Sequence, residues 1–505
     1  MKDRMLTEYA NELASRGLLV ESYCPEPVYI QALSHDSRCM RKGALFVCKG
    51  EHFLPAYLDV ALDQNAVAYV SEKKYRTDVP HLIVRDVRAT MPVLARLFYG
   101  DLTERITSVG ITGTKGKTTV ALFLRSILSA AYPNQVAIVS SVLTEDGHIS
   151  VHPLNTTPEI FTLYDHYASA ISTGYRFMVL ETSSQALKYG RTAGLHFEVA
   201  CLTNFDIDHI SPIEHPSVED YFNSKLSILR ACRVACINRD MARYEEVETA
   251  ARNAGAEVVT YGFHPQAHIR ATDVRYSGEG YEFTVHAEGS IVPCFIPMHG
   301  EFNVSNALSA ISIALSLGIS WEHICFGLSR TDMHGRMELY RSGDDKVLIL
   351  TDYAHNKMSF EALFSAVRRE FPGRFVVSVF GAPGGKALNR RRELGELAAL
   401  YSDHVVVTED DSGDEPFEKI AYEICAALSG NNANYTVVRD RKEAISFAAR
   451  LAASTPPAIV LLLGKGEEAT QRIGSRLMEY PSDLTLARKE IETYDKQCQR
   501  ESLPT

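Results

Sequence analysis

The sequence has no block of like charges long enough to make a nucleic-acid arm or an anionic-membrane patch. Its 52 Lys and Arg against 63 Asp and Glu leave a net charge of −11. No nucleic-acid partner is expected. No stretch of about 18 apolar residues occurs anywhere, and the opening MKDRMLTEYANELASRG carries charges throughout in place of an apolar signal core. No membrane insertion is expected, and the predicted location is the cytoplasm. A C-x-x-C is missing too: the ten cysteines are scattered, and Cys232 and Cys236, the nearest approach to that spacing, stand in an apolar run. They read as reduced core thiols. There is also no short repeat, low-complexity tract or long linker, so compactly joined domains are expected.

What is present is ordinary for a globular protein: 46% hydrophobic and 23% charged residues in a chain of 505, too long for one core. Over residues 1–105, ALFVCKG (44–50), AVAYVSE (66–72) and HLIVRDV (81–87) read as strands of a small α/β module. Over 106–335, RFMVLET (176–182), VACLTNF (199–205) and RVACIN (233–238) recur with helices between them, the pattern of a parallel sheet covered by helices. Over 336–505 the rhythm restarts with KVLILTDYAH (346–355), RFVVSVFGAPG (374–384), DHVVVTEDD (403–411), YTVVRD (435–440) and AIVLLLGKG (458–466). The predicted fold class is α/β in three domains: the N-terminal module, a central phosphate-loop ATPase domain and a C-terminal doubly wound, Rossmann-like domain. A monomer is expected.

GITGTKGKTTVALFLRSIL (110–128) reads as a strand end, a glycine-lysine turn and an amphipathic helix. Gly113 and Gly116 let the backbone N–H groups of Thr114, Lys115 and their neighbours curl around a phosphate, the helix start at Thr118 and Thr119 adds partial positive charge, and Lys117 neutralises the outer phosphates. The Thr118 hydroxyl is placed to ligate Mg²⁺. The pattern is shortened, since Ile111 stands where a first glycine is usual. A kinase, a transport ATPase, a switch GTPase and a ligase could all own such a loop. Glu181, Asp206 and His209 follow two strand ends, and in an open α/β sheet ligands bind at that carboxyl edge. Together with ATP they suit a divalent cation. Each alone would equally serve as a strand-end polar residue or helix cap.

With the loop, TNFDIDHI (203–210), YFNSKLSIL (221–229), HGEFNVSNALSAISIA (299–314), HGRMEL (334–339), DYAHN (352–356) and GKGEE (464–468) in that order, the chain resembles the Mur ligases. These are ATP-dependent amide-forming enzymes of bacterial cell-wall precursor synthesis. Within them it is most similar to the muramyl-tripeptide synthetase branch, through SHDSRCMRKGALFVCKG (34–50), NTTPE (155–159) and ETSSQALKYGR (181–191). The resemblance implies that Ser37 belongs to the module receiving the uridine end of the nucleotide substrate. It also implies that Asn155, Thr156, Thr157, Ser183 and Arg191 contact the UDP-muramyl-peptide, although Asn155, Thr156 and Thr157 are also good turn and cap formers. Asn303 is implied on the adenine side of ATP and Arg336, Asp352 and His355 on the other, His355 being equally compatible with a hinge histidine. Lys225 would be carbamylated by CO₂ into an anionic metal ligand, where an ordinary helix lysine would be solvated. Lys117, Lys225 and His209 would form the catalytic set, with Thr118, Glu181, His209 and carbamylated Lys225 around the metal.

The implied reaction activates a carboxylate of UDP-N-acetylmuramoyl-L-alanyl-D-glutamate as an acyl phosphate, which the amine of a free diamino acid attacks. The sequence departs from the branch at GAPGGKALNRRREL (381–394), where an Asp-Arg-Asp loop is usual, leaving Arg390 or Arg391 to hold the amino acid. In EDDSGDEP (409–416), Ser412 takes the place of the arginine common in diaminopimelate-adding enzymes. With Asp410, Gly464 and Glu468 at the same site, the acidic surround favours L-lysine, with ornithine or meso-diaminopimelate as alternatives. Another ligase of the superfamily, such as a folylpolyglutamate synthase, would leave the N-terminal DSR module unexplained. An NTP-driven switch or binding protein would leave the GKGEE segment without a use.

Overall fold

A strand covered on both faces is apolar throughout, because successive residues face opposite sides of the sheet. The apolar runs named above are strands in the computed structural model, which describes residues 4–50, 53–153, 155–207, 210–211 and 214–501. The chain divides into two units, Met1–Thr272 with Thr284–Cys294 and Ser305–Ser329, and Asp273–Phe283 with Phe295–Val304 and Arg330–Thr505.

Besides a two-stranded pair, Arg4–Met5 with Tyr29–Ile30, the first unit holds two sheets. The smaller has five strands in the order Leu19–Tyr23, His81–Val84, Ala66–Ser71, Ala44–Val47, Ala32–Ser34, parallel apart from the first. In the larger sheet the strands lying wholly within this unit run Ser150–Val151, Thr144–Glu145, Val136–Val139, Phe177–Glu181, Thr107–Thr112, Phe197–Leu202, Cys232–Asn238, Glu257–Gly262. The last six are parallel, with Glu181 beside Ile111 and Leu202 beside Thr112. The carboxyl ends of three strands are therefore level. The helix Lys117–Ala131 leaves that edge and buries Val120, Phe123, Leu124, Ile127 and Leu128, one helical face at three- and four-residue spacing.

The second unit is built on a sheet in the order Glu338–Arg341, Val347–Asp352, Ala458–Leu463, Phe375–Phe380, His404–Val407, Tyr435–Val437. All but the first strand are parallel. Alternate residues feed two cores: Leu348, Leu350, Ile459 and Leu461 pack with Phe360, Leu394 and Ile424, while Val347, Ile349, Val460 and Leu462 pack with Ala444, Ala448 and Ala487. Helices thus cover both faces.

The expected strand positions do not include Glu257–Gly262, Ile269–Tyr276, Tyr281–Ala287 or Ser290–Ile296. In YEFTVHA, buried and half-buried residues alternate, so polar side chains break the continuous apolar run that marks a fully covered strand. Among the described residues, no helix is long and apolar enough to cross a membrane. All ten cysteines carry free thiols.

The phosphate-loop helix is braced by the helix Trp321–Ser329. Ser126 Oγ donates to the Gly327 carbonyl at 2.8 Å, and a Cβ at Gly327 would lie 2.4 Å from Ile127 Cα. Backbone against backbone leaves little room to give. Gly327→Ala is expected to destabilise the protein by about 1–3 kcal/mol, read as a lower Tm by calorimetry; an unchanged Tm would mean that the two helices separate without cost.

Candidate active site

The level strand ends bring the phosphate loop, Glu181 and the 203–207 segment together. Gly113 (φ 155°) and Gly116 (φ 81°) adopt positive φ, and side chains crowd them. A Cβ would fall 1.9 Å from Thr203 Oγ1 at Gly113 and 2.2 Å from Asn306 Oδ1 at Gly116. The loop is held from outside. Lys115 N–H donates to Asn204 Oδ1 at 2.8 Å, and its carbonyl accepts from Thr203 Oγ1 at 2.7 Å and Asn204 Nδ2 at 3.0 Å. Thr114 Oγ1 accepts from Asp206 N–H at 3.0 Å, and the Asp206 side chain is exposed.

Lys117 Nζ donates to the carbonyls of Gly113 and Thr114 at 3.1 and 3.2 Å. Thr118 Oγ1 lies 3.1 Å from both oxygens of the buried Glu181 carboxylate and 2.9 Å from Ser141 Oγ, and Ser141 N–H donates to Glu181 Oε2 at 2.9 Å. Thr119 is buried behind it. Lys225, on the helix Val218–Leu226, is 1% exposed; its Nζ donates to Gly113 O at 2.7 Å and lies 4.4 Å from the centre of the Tyr221 ring. It is not a solvated helix lysine. His209 lies outside the described residues. Among those described there is no group of three or more His, Cys, Asp or Glu that could hold a metal by itself. The paired Thr118 hydroxyl and Glu181 carboxylate nevertheless offer hard oxygen ligands, which suits an ion that keeps waters and phosphate oxygens in its shell.

Beside this edge lie the residues assigned to the muramyl-peptide. Thr157 Oγ1 donates to Glu181 O at 2.9 Å and accepts from Ser183 N–H at 3.0 Å, while Arg191 donates to Thr157 O at 3.0 Å. Asn155 is exposed and Thr156 half-buried just before them. Ser183 Oγ caps the helix Ser184–Lys188. Ser37 is buried in the turn after Ala32–Ser34, between the ion-paired Asp36 and Arg38. Lys49 and Glu159 are not among the site residues expected from the sequence. Glu159 pairs with Lys49 at 2.5 Å and with Arg191 at 2.9 Å, and His35 nearby is pushed down to about 4 by burial and by Lys49. Ser141 is not among them either; its only local signal is the Ser-Ser that ends the run after VAIV.

In the second unit, Asp352 accepts from Met337 N–H at 2.9 Å and Ala354 N–H at 2.7 Å. Arg336 stacks 4.9 Å from the centre of the Tyr353 ring, and His355 Nδ1 lies 2.7 Å from Tyr353 O. Asn303 is buried with its Nδ2 on His299 O at 2.7 Å. Arg390 is half-buried. Arg391 is fully buried, pairing with Glu415 at 2.6 Å and Glu423 at 2.8 Å, so its guanidinium serves the fold. Ser412 is buried and donates to Glu409 at 2.5 Å.

At the neighbouring strand ends, Lys465 is 1% exposed and pairs with Glu468 at 2.7 Å and Asp411 at 3.1 Å. Tyr353 donates to the other Glu468 oxygen at 2.6 Å. Burial opposes the Lys465 charge, but Asp410, Glu468 and Asp411 outweigh it and raise its pKa. Gly464 (φ 107°) leaves no room for a Cβ, which would lie 2.7 Å from Asp410 Oδ2. Burial pushes Asp410 up to about 6, against the pull of Arg441 and Lys465.

Residues 111–314 match the Mur ligase middle domain, and residues 335–466 the Mur ligase, glutamate ligase domain. The chain is 35% identical over 467 residues to the UDP-N-acetylmuramoyl-L-alanyl-D-glutamate–L-lysine ligase of Enterococcus faecalis, covering 91% of each. It is 35% identical over 492 residues to a UDP-N-acetylmuramyl-tripeptide synthetase of Lactobacillus delbrueckii subsp. bulgaricus, covering 92% of this chain and 94% of that one. A solved UDP-N-acetylmuramoyl-L-alanyl-D-glutamate–2,6-diaminopimelate ligase shares the fold with a TM-score of 0.67 at 24% identity, over 97% of this chain and 99% of that one.

The raised Asp410 carries a consequence for stability. An Asp titrating near 3.8 unfolded and about 6 folded is neutral in both states below pH 4; above that it costs stability, fully so once the pH passes the folded value. Asp410→Asn should therefore gain stability relative to wild type as pH rises from 4 to 7, on the order of 2–3 kcal/mol at the plateau, read as a growing difference in Tm. A difference that stays flat with pH would contradict it.

Proposed function

This chain belongs to the Mur ligase family, and on that premise we propose that it is the ATP-dependent ligase joining L-lysine to UDP-N-acetylmuramoyl-L-alanyl-D-glutamate in peptidoglycan precursor synthesis. The observation that carries this reading is the convergence of Lys117, Thr118, Glu181 and Lys225 on one phosphate loop. Residues 1–105 would take the uridine end of the substrate, 106–335 the ATP, and 336–505 the amino acid, in a cytoplasmic monomer.

A carboxylate does not acylate an amine unaided. ATP transfers its terminal phosphoryl group to the carboxylate of the dipeptide, the lysine amine attacks the acyl phosphate, and the tetrahedral intermediate expels phosphate. Lys117 faces the transferring phosphoryl, where a fixed charge in a water-poor site stabilises the transition state most. Thr157, Ser183 and Arg191 orient the muramyl-peptide beside it. Thr118 and Glu181, with His209, would hold Mg²⁺, which would supply charge neutralisation for the phosphates. Lys225, reacting as the neutral amine with CO₂, would form an N–C bond and release a proton; the nitrogen would keep a hydrogen for Gly113 O and the new carboxylate would be available to the metal.

Lysine is favoured because Ser412 replaces the arginine that would bind a second carboxylate, and because Asp410, Asp411 and Glu468 outnumber Lys465 among the charges at this site. Phosphate release with the UDP-muramyl-dipeptide tests class and specificity together: kcat/KM for L-lysine is expected to exceed that for ornithine and meso-diaminopimelate by at least about tenfold, and preference for diaminopimelate would reject lysine. Release without any amino acid would reject the ligase in favour of a switch. Lys225→Ala is expected to be nearly inactive and partly restored by formate or acetate, as measured by ADP formation; full activity without rescue would remove the carbamate.

A further inference from the structure

Glu370 is the last residue of the helix Lys357–Glu370, where a carboxylate faces the negative end of the helix dipole. Its side chain is also fully buried. Neither position suits a charge, so its partners must hold it there. Tyr281 Oη and Gly300 N–H donate to Oε1 at 2.8 and 2.7 Å, and His299 Nδ1 lies 2.9 Å from Oε2. The preceding Arg369 pairs with Glu301, and the rings of Phe371 and Tyr276 lie 5.3 and 5.6 Å from the His299 imidazole. Three consecutive residues at the end of one helix thus grip three consecutive residues, His299, Gly300 and Glu301. That segment is bent at Gly300 (φ 85°), and the carbonyl of His299 accepts from Asn303 Nδ2 at 2.7 Å.

We infer that Glu370 is a positioning residue for ATP, acting through His299 and Gly300 to fix the side-chain amide of Asn303. The inference rests on the proposed place of Asn303 beside the adenine. Glu370 itself touches no substrate; it sets the turn from which Asn303 projects, with one carboxylate oxygen accepting from Tyr281 and Gly300 and the other facing His299 Nδ1. An amide in its place would turn an N–H either toward those two donors or toward His299 Nδ1, which changes the imidazole's tautomer or breaks the grip.

Steady-state kinetics of the full-length enzyme test this with Glu370→Gln, Asn303→Ala and the double variant, each checked for Tm. The expected result is a KM for ATP raised about fivefold or more in Glu370→Gln, with kcat at saturating ATP and the KM for lysine near wild type. The double variant should be no worse than Asn303→Ala alone. A merely structural role would lower Tm and kcat and leave the KM for ATP in place, and that result overturns the inference. So does a wild-type KM for ATP in Glu370→Gln when Asn303→Ala raises it, which leaves the nucleotide reading intact; an unchanged KM in Asn303→Ala removes that reading and the inference with it. Should Glu370→Gln fail to fold, Tyr281→Phe deletes one donor and keeps the charge: a smaller rise in the same KM supports the inference, and no rise overturns it.

Discussion

The register of three parallel strands is the constraint on which the first unit's chemistry depends. Because side chains alternate across a sheet, a slip of one residue would turn Glu181 to the opposite face and away from Thr118. The register is secured where it matters. Thr112 Oγ1 donates to Thr182 O at 2.8 Å, Thr182 N–H to Ile111 O at 2.8 Å, and Thr203 N–H to Thr112 O at 2.9 Å. These bonds continue the ladder just past the strand ends, so the loop starts from a fixed edge. The close approach of Thr203 to Gly113 follows from the same alignment.

On that edge, charged groups lie close together and two of them, Glu181 and Lys225, are buried. One carbonyl oxygen, that of Gly113, accepts from both Lys117 and Lys225, which uses the two lone pairs a carbonyl has. Among the described residues, two ammonium groups stand against the one buried carboxylate of Glu181, which makes the site attractive to phosphate. Carbamylation of Lys225, as proposed, would change one of those cations into an anion and shift the local balance toward a divalent cation. On that proposal the same edge would serve polyphosphate and metal together, and Lys225 would set the sign.

The second unit applies the opposite polarity. Lys465, nearly fully buried, is kept charged by Asp410, Asp411 and Glu468, and Tyr353 and Lys465 each hold one oxygen of Glu468. The carboxylates outnumber the cation, so an added ammonium fits the balance and an added carboxylate does not. Asp410, raised to about 6, absorbs part of the imbalance by yielding its charge readily. Arg391 lies outside this group, with its charge spent on Glu415 and Glu423.

Backbone-level features were legible in the sequence. The strands, the glycine-lysine turn and the helices come from apolar periodicity and turn chemistry, which act between near neighbours, and the order of motifs carried the family. Half-covered strands such as Tyr281–Ala287 were not legible, since their alternation lacks a continuous apolar run. Nor were the partners of the site residues. Arg390 and Arg391 are equivalent in sequence, and only packing commits Arg391 to two glutamates. Lys225 looks like any helix lysine until the fold brings it to Gly113, 112 residues away, and Glu370 like any helix-end acid until it meets His299, 71 residues away. Local sequence pattern sets which elements form and which chemistry the motifs can support. Tertiary structure alone decided which buried charges meet, because those contacts join distant segments and are worth having only where water is excluded.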